Sequence, residues 1–378
     1  MSDTRKTSLA AKLKPYVAPF RVDGSSRFHL KAHKAHEKGG LDKEQAAKII
    51  EANRKRLNDF QEMLYAQDRW SLLLIFQGMD AAGKDTAIKS VFEGVNPQGC
   101  EVYSFKTPTV HELDHDFMWR AAISLPQRGR IGIFNRSYYE DVLVVRVHPK
   151  ILAGQHLPPS LITKRIWRER FEDISSFERY LSRNGTVVLK FFLNVSKEEQ
   201  RQRFLSRLED PAKNWKFSMA DVEERKLWHR YQAAYQDAIA HTATPEAPWY
   251  IVPADHKWFS RVVIGSAIVS ALENLDLHFP KTNHGERQEY EKVREALELE
   301  GRGAKRKSKA NGKAGGVNGK DESRASPRKT VSAAPAQAAA RQRSVAKVGT
   351  QKVGTQPTAS KRKAVAKPRS RARKASND

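Results

Sequence analysis

The spacing of apolar and polar positions divides residues 43–275 into helices and strands that alternate along the chain. Residues 43–66 place Ile49, Ile50, Leu57, Phe60, Met63 and Leu64 at helical spacing, which predicts an amphipathic helix with one buried stripe. The run LLLIF at 72–76 predicts a strand, and a helix is expected over 86–92. Two further strands are predicted at 101–105 and 130–135, with a helix over 111–124 between them. A long helix over 160–183 puts Trp167, Phe171, Ile174, Phe177 and Leu181 on one face and stops at Asn184-Gly185. TVVLKFFLNV (186–195) and WYIVPAD (249–255) predict two more strands with two helices between them, and a helix over 257–275 closes the core. Strands alternating with helices predict an α/β fold of three layers, a parallel sheet covered on both faces. Ligands of such sheets bind beyond the carboxyl ends of the strands.

The loop after the first of these strands carries the strongest chemical signal. It reads GMDAAGK and lies between strand and helix, the context that a phosphate-binding P-loop requires. Gly78 and Gly83 let the backbone amides of Met79, Ala81 and Ala82 turn inward around a phosphate; Lys84 and the helix start at Asp85 and Thr86 add positive potential. The usual pattern has a hydroxyl directly after the lysine; here Asp85 stands there and Thr86 comes one later. A carboxylate inside the loop, Asp80, would repel a polyphosphate unless a cation lay between them, and magnesium satisfies that requirement.

Two other segments fit a phosphoryl-transfer site. The strand ending at Asn135-Arg136 is followed by Glu140-Asp141, and an arginine at that edge can neutralise charge on a transferred phosphoryl group. The segment 197–216 carries Arg201, Arg203, Arg207, Lys213 and Lys216, with Arg203 and Arg207 on one helical face, the pattern of a basic lid. His111-Glu112-Leu113-Asp114-His115 also matches H-E-x-x-H, but the adjacent phosphate loop assigns this region to different chemistry, so zinc is not expected.

Charge separates the ends from the middle. Residues 301–378 hold 22 lysines and arginines against three acids and no aromatic residue, so they account for +19 of the formal +25. Such a segment cannot offset chain entropy by burying apolar surface, and a disordered Lys/Arg-rich tail is expected, with the tandem repeat KVGTQ at 347–351 and 352–356. A tail of this charge is also a candidate for non-specific nucleic-acid binding. Residues 1–40 read as a basic, mobile N-terminal extension, leaving 41–300 as the catalytic domain. Cys100 is the single cysteine, the N-terminus lacks a signal-type apolar stretch and no run reaches membrane-spanning length; a cytoplasmic protein without membrane contact is expected.

GMDAAGKD, GVNPQG (94–99), SFKTPT (104–109), ELDHDFMWR (112–120), FNRSYYEDVLVVRVH (134–148), KFFLNVSKEEQRQRF (190–204), LEDPAKNWKFS (208–218) and APWYIVPADHKWF (247–259) together resemble the polyphosphate kinase 2 family over about residues 40–280. The resemblance implies a P-loop kinase fold similar to thymidylate kinase, with a helical lid. It implies magnesium-dependent transfer of the terminal phosphoryl of inorganic polyphosphate to nucleoside mono- and diphosphates, or the reverse, by a homo-oligomer. It also implies catalytic roles for Asp80, Lys84, Arg136 and Glu140, with Asp80 and Glu140 on the metal. Phosphate contacts fall to Arg203, Arg207 and Lys216, and acceptor-nucleotide contacts to Lys106, Asp114 and Asn135. The family's diphosphate-specific branch reads GRDAAGKGG and FDRSWYNR; GMDAAGKDT and FNRSYYED here resemble the class III branch, which accepts mono- and diphosphates. The rival expectations are an ATP-dependent nucleoside monophosphate kinase on the same fold, and a nucleic-acid-binding protein acting through its tail.

Overall fold

A computed structural model describes residues 9–313. Helix α1 (Leu9–Val17) and the two-residue strand β1 (Arg21–Val22) lead to the long helix α2 (Lys43–Gln67). The central unit follows: β2 (Ser71–Gln77), α3 (Lys84–Val91), β3 (Cys100–Ser104), the one-turn helices α4 (Val110–Leu113) and α5 (Trp119–Ala122), and β4 (Ile131–Asn135). The short helices α6 (Val144–Val147) and α7 (Pro149–Ala153) precede α8 (Ile166–Arg183) and β5 (Thr186–Asn194). Helices α9 (Lys197–Glu209), α10 (Met219–Lys226) and α11 (Trp228–Thr242) lead to β6 (Trp249–Pro253), α12 (Lys257–Glu273) and α13 (His284–Lys313).

The six strands form one mixed sheet in the order β1-β6-β5-β2-β4-β3. Every neighbouring pair is parallel except β1 with β6. All seven residues of β2 are buried, which explains why the strand reads as a continuous apolar run: it is covered on both faces. Helix α12 packs on α1, α2 and α3, while α8 packs on β5 and α11. The register pairs Phe76 with Asn135, Asn135 with Ser104, and Gln77 with Phe192. The loops that follow β2, β3 and β4 therefore leave the sheet at the same edge.

The predicted strands and the long helices stand where the apolar pattern puts them, and the differences have local causes. The helix expected over 111–124 is two separate turns, because Asp116 turns its carboxylate back onto the Met118 amide (2.8 Å). The helix expected from 160 begins at Ile166, after a 3-10 turn at Pro159–Leu161. Three helices, not two, join β5 to β6, since α10 and α11 are divided at Leu227. The largest correction concerns the N-terminus, expected to be mobile. Leu13, Val17, Phe20, Val22, Phe28 and Leu30 are buried in the main core, and β1 supplies the antiparallel edge of a sheet expected to be parallel throughout. Leu13, Val17 and Phe20 fall at helical spacing, but Pro15 and Pro19 interrupt that run and Val22, Phe28 and Leu30 follow no common period with it, so one continuous face was not visible in the sequence.

A boundary between compact units falls between Ala296 and Leu297, and the sheet lies wholly in the first. Helix α13 extends to Lys313, into the segment expected to lack structure; the rest of the tail, with its repeat, lies outside the described residues.

The burial of the N-terminal segment yields a stability prediction. The Phe20 ring is 6% exposed and meets the edge of Phe259 at 5.6 Å. Phe20→Ala should cost about 3–5 kcal/mol, the scale for truncating a core aromatic, in urea unfolding of the full chain. A midpoint matching that of the unmodified protein would return residues 9–22 to a mobile extension.

Candidate active site

The loop between β2 and α3 is held open by backbone conformations that favour glycine. Gly78 has φ 154° and Gly83 φ 103°, and a Cβ on Gly78 would come within 3.1 Å of the Leu193 carbonyl oxygen. Lys84 starts α3 and is buried; its Nζ donates to the carbonyl oxygens of Gly78 (2.7 Å) and Met79 (3.4 Å). Burial pushes its pKa down and the neighbouring Arg136 charge adds to this, while Asp80, Glu140 and Asp85 oppose it.

Arg203, expected to meet phosphate from the lid, is instead committed to the loop's scaffold. Its Nη1 donates to the carbonyl oxygens of Ala81 (2.9 Å) and Ala82 (2.8 Å), and its Nη2 to those of Ala254 (2.5 Å) and Asp255 (3.3 Å). Nε donates to Glu199 at 2.8 Å. One planar guanidinium thus ties the P-loop to the end of β6.

The turn after β4 supplies the opposing wall. Arg136 has φ 64°, uncommon for a non-glycine residue, and its amide donates to the Phe76 carbonyl oxygen at 3.0 Å. Its guanidinium lies between two acids, donating from Nη2 to Asp80 Oδ1 (2.9 Å) and from Nη1 to Glu140 Oε2 (3.1 Å). Glu140 and Asp80 reinforce its positive charge against burial. The other Glu140 oxygen accepts from the Gln77 carboxamide at 2.9 Å in the orientation that lets Gln77 also accept from Ser137. Asn135 donates to Asp85 at 2.6 Å.

A cavity of about 1060 Å³ opens over these groups. Asp80, Ala81, Gly83, Lys84, Asp85 and Thr86 form its floor, Lys106, Asn135 and Arg136 one wall, and Arg203 and Arg207 another. These are most of the residues singled out in the sequence, brought together from four separate segments. Gly78, Met79, Ala82 and Glu140 stand behind that lining. Asp114 lies apart, 3.6 Å from His156, and Lys216 ends a 3-10 turn beside the basic loop. Sequence reasoning missed Gln202, Ser206, Asp221 and Lys257 as lining residues, and gave no role to Lys213 or Trp215 beyond membership of a basic loop. Lys257 lies in the HKWF segment, just beyond β6, and only its place after a strand could have marked it.

The acids that line the cavity have the donor chemistry that suits magnesium. Asp80 and Asp85 offer hard carboxylate oxygens to the cavity, and magnesium is commonly held by one or two such groups with substrate phosphates and water completing its shell. Among the described residues, no group of three or more His, Cys, Asp or Glu side chains is gathered for a metal ion. In the H-E-x-x-H stretch, the Glu112 carboxylate accepts from the Thr109 amide and the Glu112 amide donates to the Thr109 hydroxyl, a capping box, while His115 stacks on Trp119 at 3.9 Å.

Comparisons with known proteins show the family. The profile of the family Polyphosphate kinase 2 (PPK2) matches residues 40–280. An ADP-polyphosphate phosphotransferase of Rhodopseudomonas palustris is 48% identical over 256 residues, covering 68% of this chain and 89% of the relative. An AMP/ADP-polyphosphate phosphotransferase of Meiothermus ruber is 43% identical, covering 69% of this chain and 95% of its own length. The crystal structure of polyphosphate kinase 2 from Arthrobacter aurescens superposes with a TM-score of 0.68 at 36% identity, covering 73% of this chain and 95% of that one. With its P-loop, its strand-end arginine and this breadth of similarity, the chain belongs to the polyphosphate kinase 2 family.

Proposed function

We propose that this protein transfers the terminal phosphoryl group of inorganic polyphosphate to a nucleoside mono- or diphosphate, and catalyses the reverse reaction. The observation that carries this reading is the Arg136 guanidinium, set between Asp80 and Glu140 at the wall of a large cavity floored by a P-loop. A phosphate oxygen of the acceptor attacks the terminal phosphorus, and the bond to the bridging oxygen breaks. A polyphosphate one unit shorter leaves with the bonding pair. The loop amides and Lys84 hold the phosphates in place, and Arg136 meets the charge on the transferred group. Magnesium, when bound, neutralises phosphate charge, and Asp80 would hold it, with Asp85 beside it. Glu140, expected on the metal, is outside the cavity lining and pairs with Arg136, so it is assigned to act through Arg136, sharing its charge with Asp80, and not on magnesium. Lys106 and Asn135, on the β3–β4 side, are assigned to the acceptor.

The finer reading of the fold goes with this function. The sheet and its P-loop correspond to a P-loop kinase fold similar to thymidylate kinase, and α9, the loop at 210–218 and α10 correspond to its lid. The loop brings Lys213 and Trp215 to the cavity, and α10 brings Asp221. A cytoplasmic homo-oligomer with a basic tail that binds polyanions completes the proposal. The half-buried Cys100 thiol, its pKa pushed up to about 11 by burial, is unpaired in the structure and suits a reducing compartment. The direct test supplies purified protein with magnesium, polyphosphate and each of AMP, ADP, GMP and GDP. Turnover with ATP but none with polyphosphate would replace this reading by an ATP-dependent monophosphate kinase.

Lys84→Ala should lower polyphosphate-dependent turnover about 10²–10³-fold, the scale for removing one electrostatic contact to the transition state. Near-normal rates in that variant would sink the mechanism.

Arg203→Ala should destabilise the fold by at least about 1.5–3 kcal/mol in urea unfolding without substrate, because it removes charged donors from buried carbonyl groups. An arginine serving only polyphosphate would leave substrate-free stability unchanged.

Glu140→Gln retains the size of the side chain but leaves Arg136 with Asp80 as its one acidic partner. Asp80 is then less available to magnesium, so half-maximal activity should require more magnesium in a titration at saturating nucleotide. An unaltered magnesium curve would show that Glu140 does not share the Arg136 charge.

A further inference from the structure

The middle of the sheet contains a charged pair that the reaction does not use. Lys190 of β5 and Glu178 of α8 are side chains with 0% and 1% exposure, in direct ionic contact. Lys190 Nζ also donates to the Thr242 carbonyl oxygen (2.7 Å) and the Tyr139 hydroxyl (3.2 Å), so all three of its protons are placed. Glu178 Oε1 accepts from the hydroxyls of Tyr138 (2.9 Å) and Tyr139 (2.8 Å). The Tyr139 ring meets Trp249 edge-on at 4.7 Å, which closes the cluster.

A buried ion pair is a poor stabiliser, since desolvating both charges offsets their attraction and apolar residues of similar volume often serve as well. What this pair does is grip two consecutive residues of one turn. That turn starts at Arg136, whose left-handed backbone persists only where its surroundings over-determine it, and it contains Glu140. Its far end is gripped as well: Arg170 donates to the Asp141 carbonyl oxygen at 2.8 Å, and Gln155 to the Asp141 carboxylate at 2.5 Å. With Tyr138, Tyr139 and Asp141 anchored, Arg136 is left to reach Asp80, with Glu140 beside it on the same turn.

We propose that the Glu178–Lys190 pair is a positioning device for phosphoryl transfer, acting through the Tyr138 and Tyr139 hydroxyls to fix the turn that presents Arg136 to Asp80. The proposal rests on the reading of Arg136 as the group that meets the transferred phosphoryl. A misplacement of this group by a fraction of an ångström lowers the rate of the chemical step while leaving ground-state phosphate binding to the P-loop.

The test is the Tyr138→Phe/Tyr139→Phe variant, which keeps both rings in the core and removes only the hydroxyls. Its kcat with polyphosphate and ADP should fall about 10- to 100-fold at unchanged KM for both substrates. Arg136→Lys alone should also lower kcat, and adding it to the tyrosine variant should cost less than the product of the separate losses, because both changes remove the same placement of charge. A lower unfolding midpoint with unchanged kcat per folded molecule, or fully multiplicative losses, would make the pair structural and overturn the proposal. Should the double variant not fold, Tyr138→Phe and Tyr139→Phe separately leave Glu178 one tyrosine donor each and carry the same comparison. Absence of polyphosphate-dependent turnover in the unmodified protein would instead overturn the proposed function, and Arg136→Lys with normal kcat would remove its premise.

Discussion

The pairing of Arg136 with Asp80 is the contact on which the site depends, and it exists because β2 and β4 are hydrogen-bonded neighbours in register. Each strand ends in a loop bearing a charge that would be costly to leave alone at the edge of a low-dielectric core. The Arg136 amide continues the ladder to Phe76, which commits residue 136 to the left-handed region and turns its side chain across the P-loop. Lys84 adds a second cation to the same small volume; Glu140 and Asp80 reinforce the Arg136 charge, whereas burial pushes the Lys84 pKa down against the opposing pull of Asp80, Glu140 and Asp85. Removing a single one of these groups changes the charge balance felt by the others.

The parts of this arrangement that were legible in the sequence are those with a local signature. The run at 72–76, the glycine spacing of the loop and the polar end of the strand at 130–135 each report a backbone position, and a parallel sheet brings such positions to one edge. What could not be read was which partner each charge takes. Arg203 and Arg207 share a helical face and look equivalent, yet Arg203 is bound to loop carbonyl groups whereas Arg207 pairs with Asp221 at 3.3 Å. That distinction depends on how α9 lies against the P-loop, which has no counterpart in sequence spacing. Lys190 gave the same difficulty: within an apolar strand it reads as a bare polar position, and its partner Glu178 was hidden on the long amphipathic helix.

The departures from the family's diphosphate-specific pattern are physically coherent as a pair. Asn135 stands where that branch has an aspartate, and Asp85 stands where it has a glycine. The two are in hydrogen-bond contact, with the amide donating to the carboxylate. An aspartate at 135 would face Asp85 with like charge, whereas asparagine supplies the donor that Asp85 needs. The site therefore keeps one carboxylate at this junction of strand end and helix start, carried by the helix and not by the strand.

Several of the cations around the cavity are already engaged. Arg136 is shared by two acids, Arg207 meets Asp221, and Lys213 meets Asp210. An anion that reaches Arg136, Arg207 or Lys213 must compete with carboxylates already in place. A single phosphate offers little more than the carboxylate it would displace. A polyphosphate brings many oxygens on one chain, so each guanidinium or ammonium it wins raises the effective concentration of its next phosphate at the neighbouring cation. Displacing Asp221 from Arg207 would also return a carboxylate to the cavity, where burial and the nearby Asp80 already push the Asp221 pKa up. A cation arriving with the substrate relieves that repulsion. The paired acids thus favour a metal-bearing, multivalent anion over a simple one, a selectivity that follows from competition within the cavity and not from the number of its positive charges.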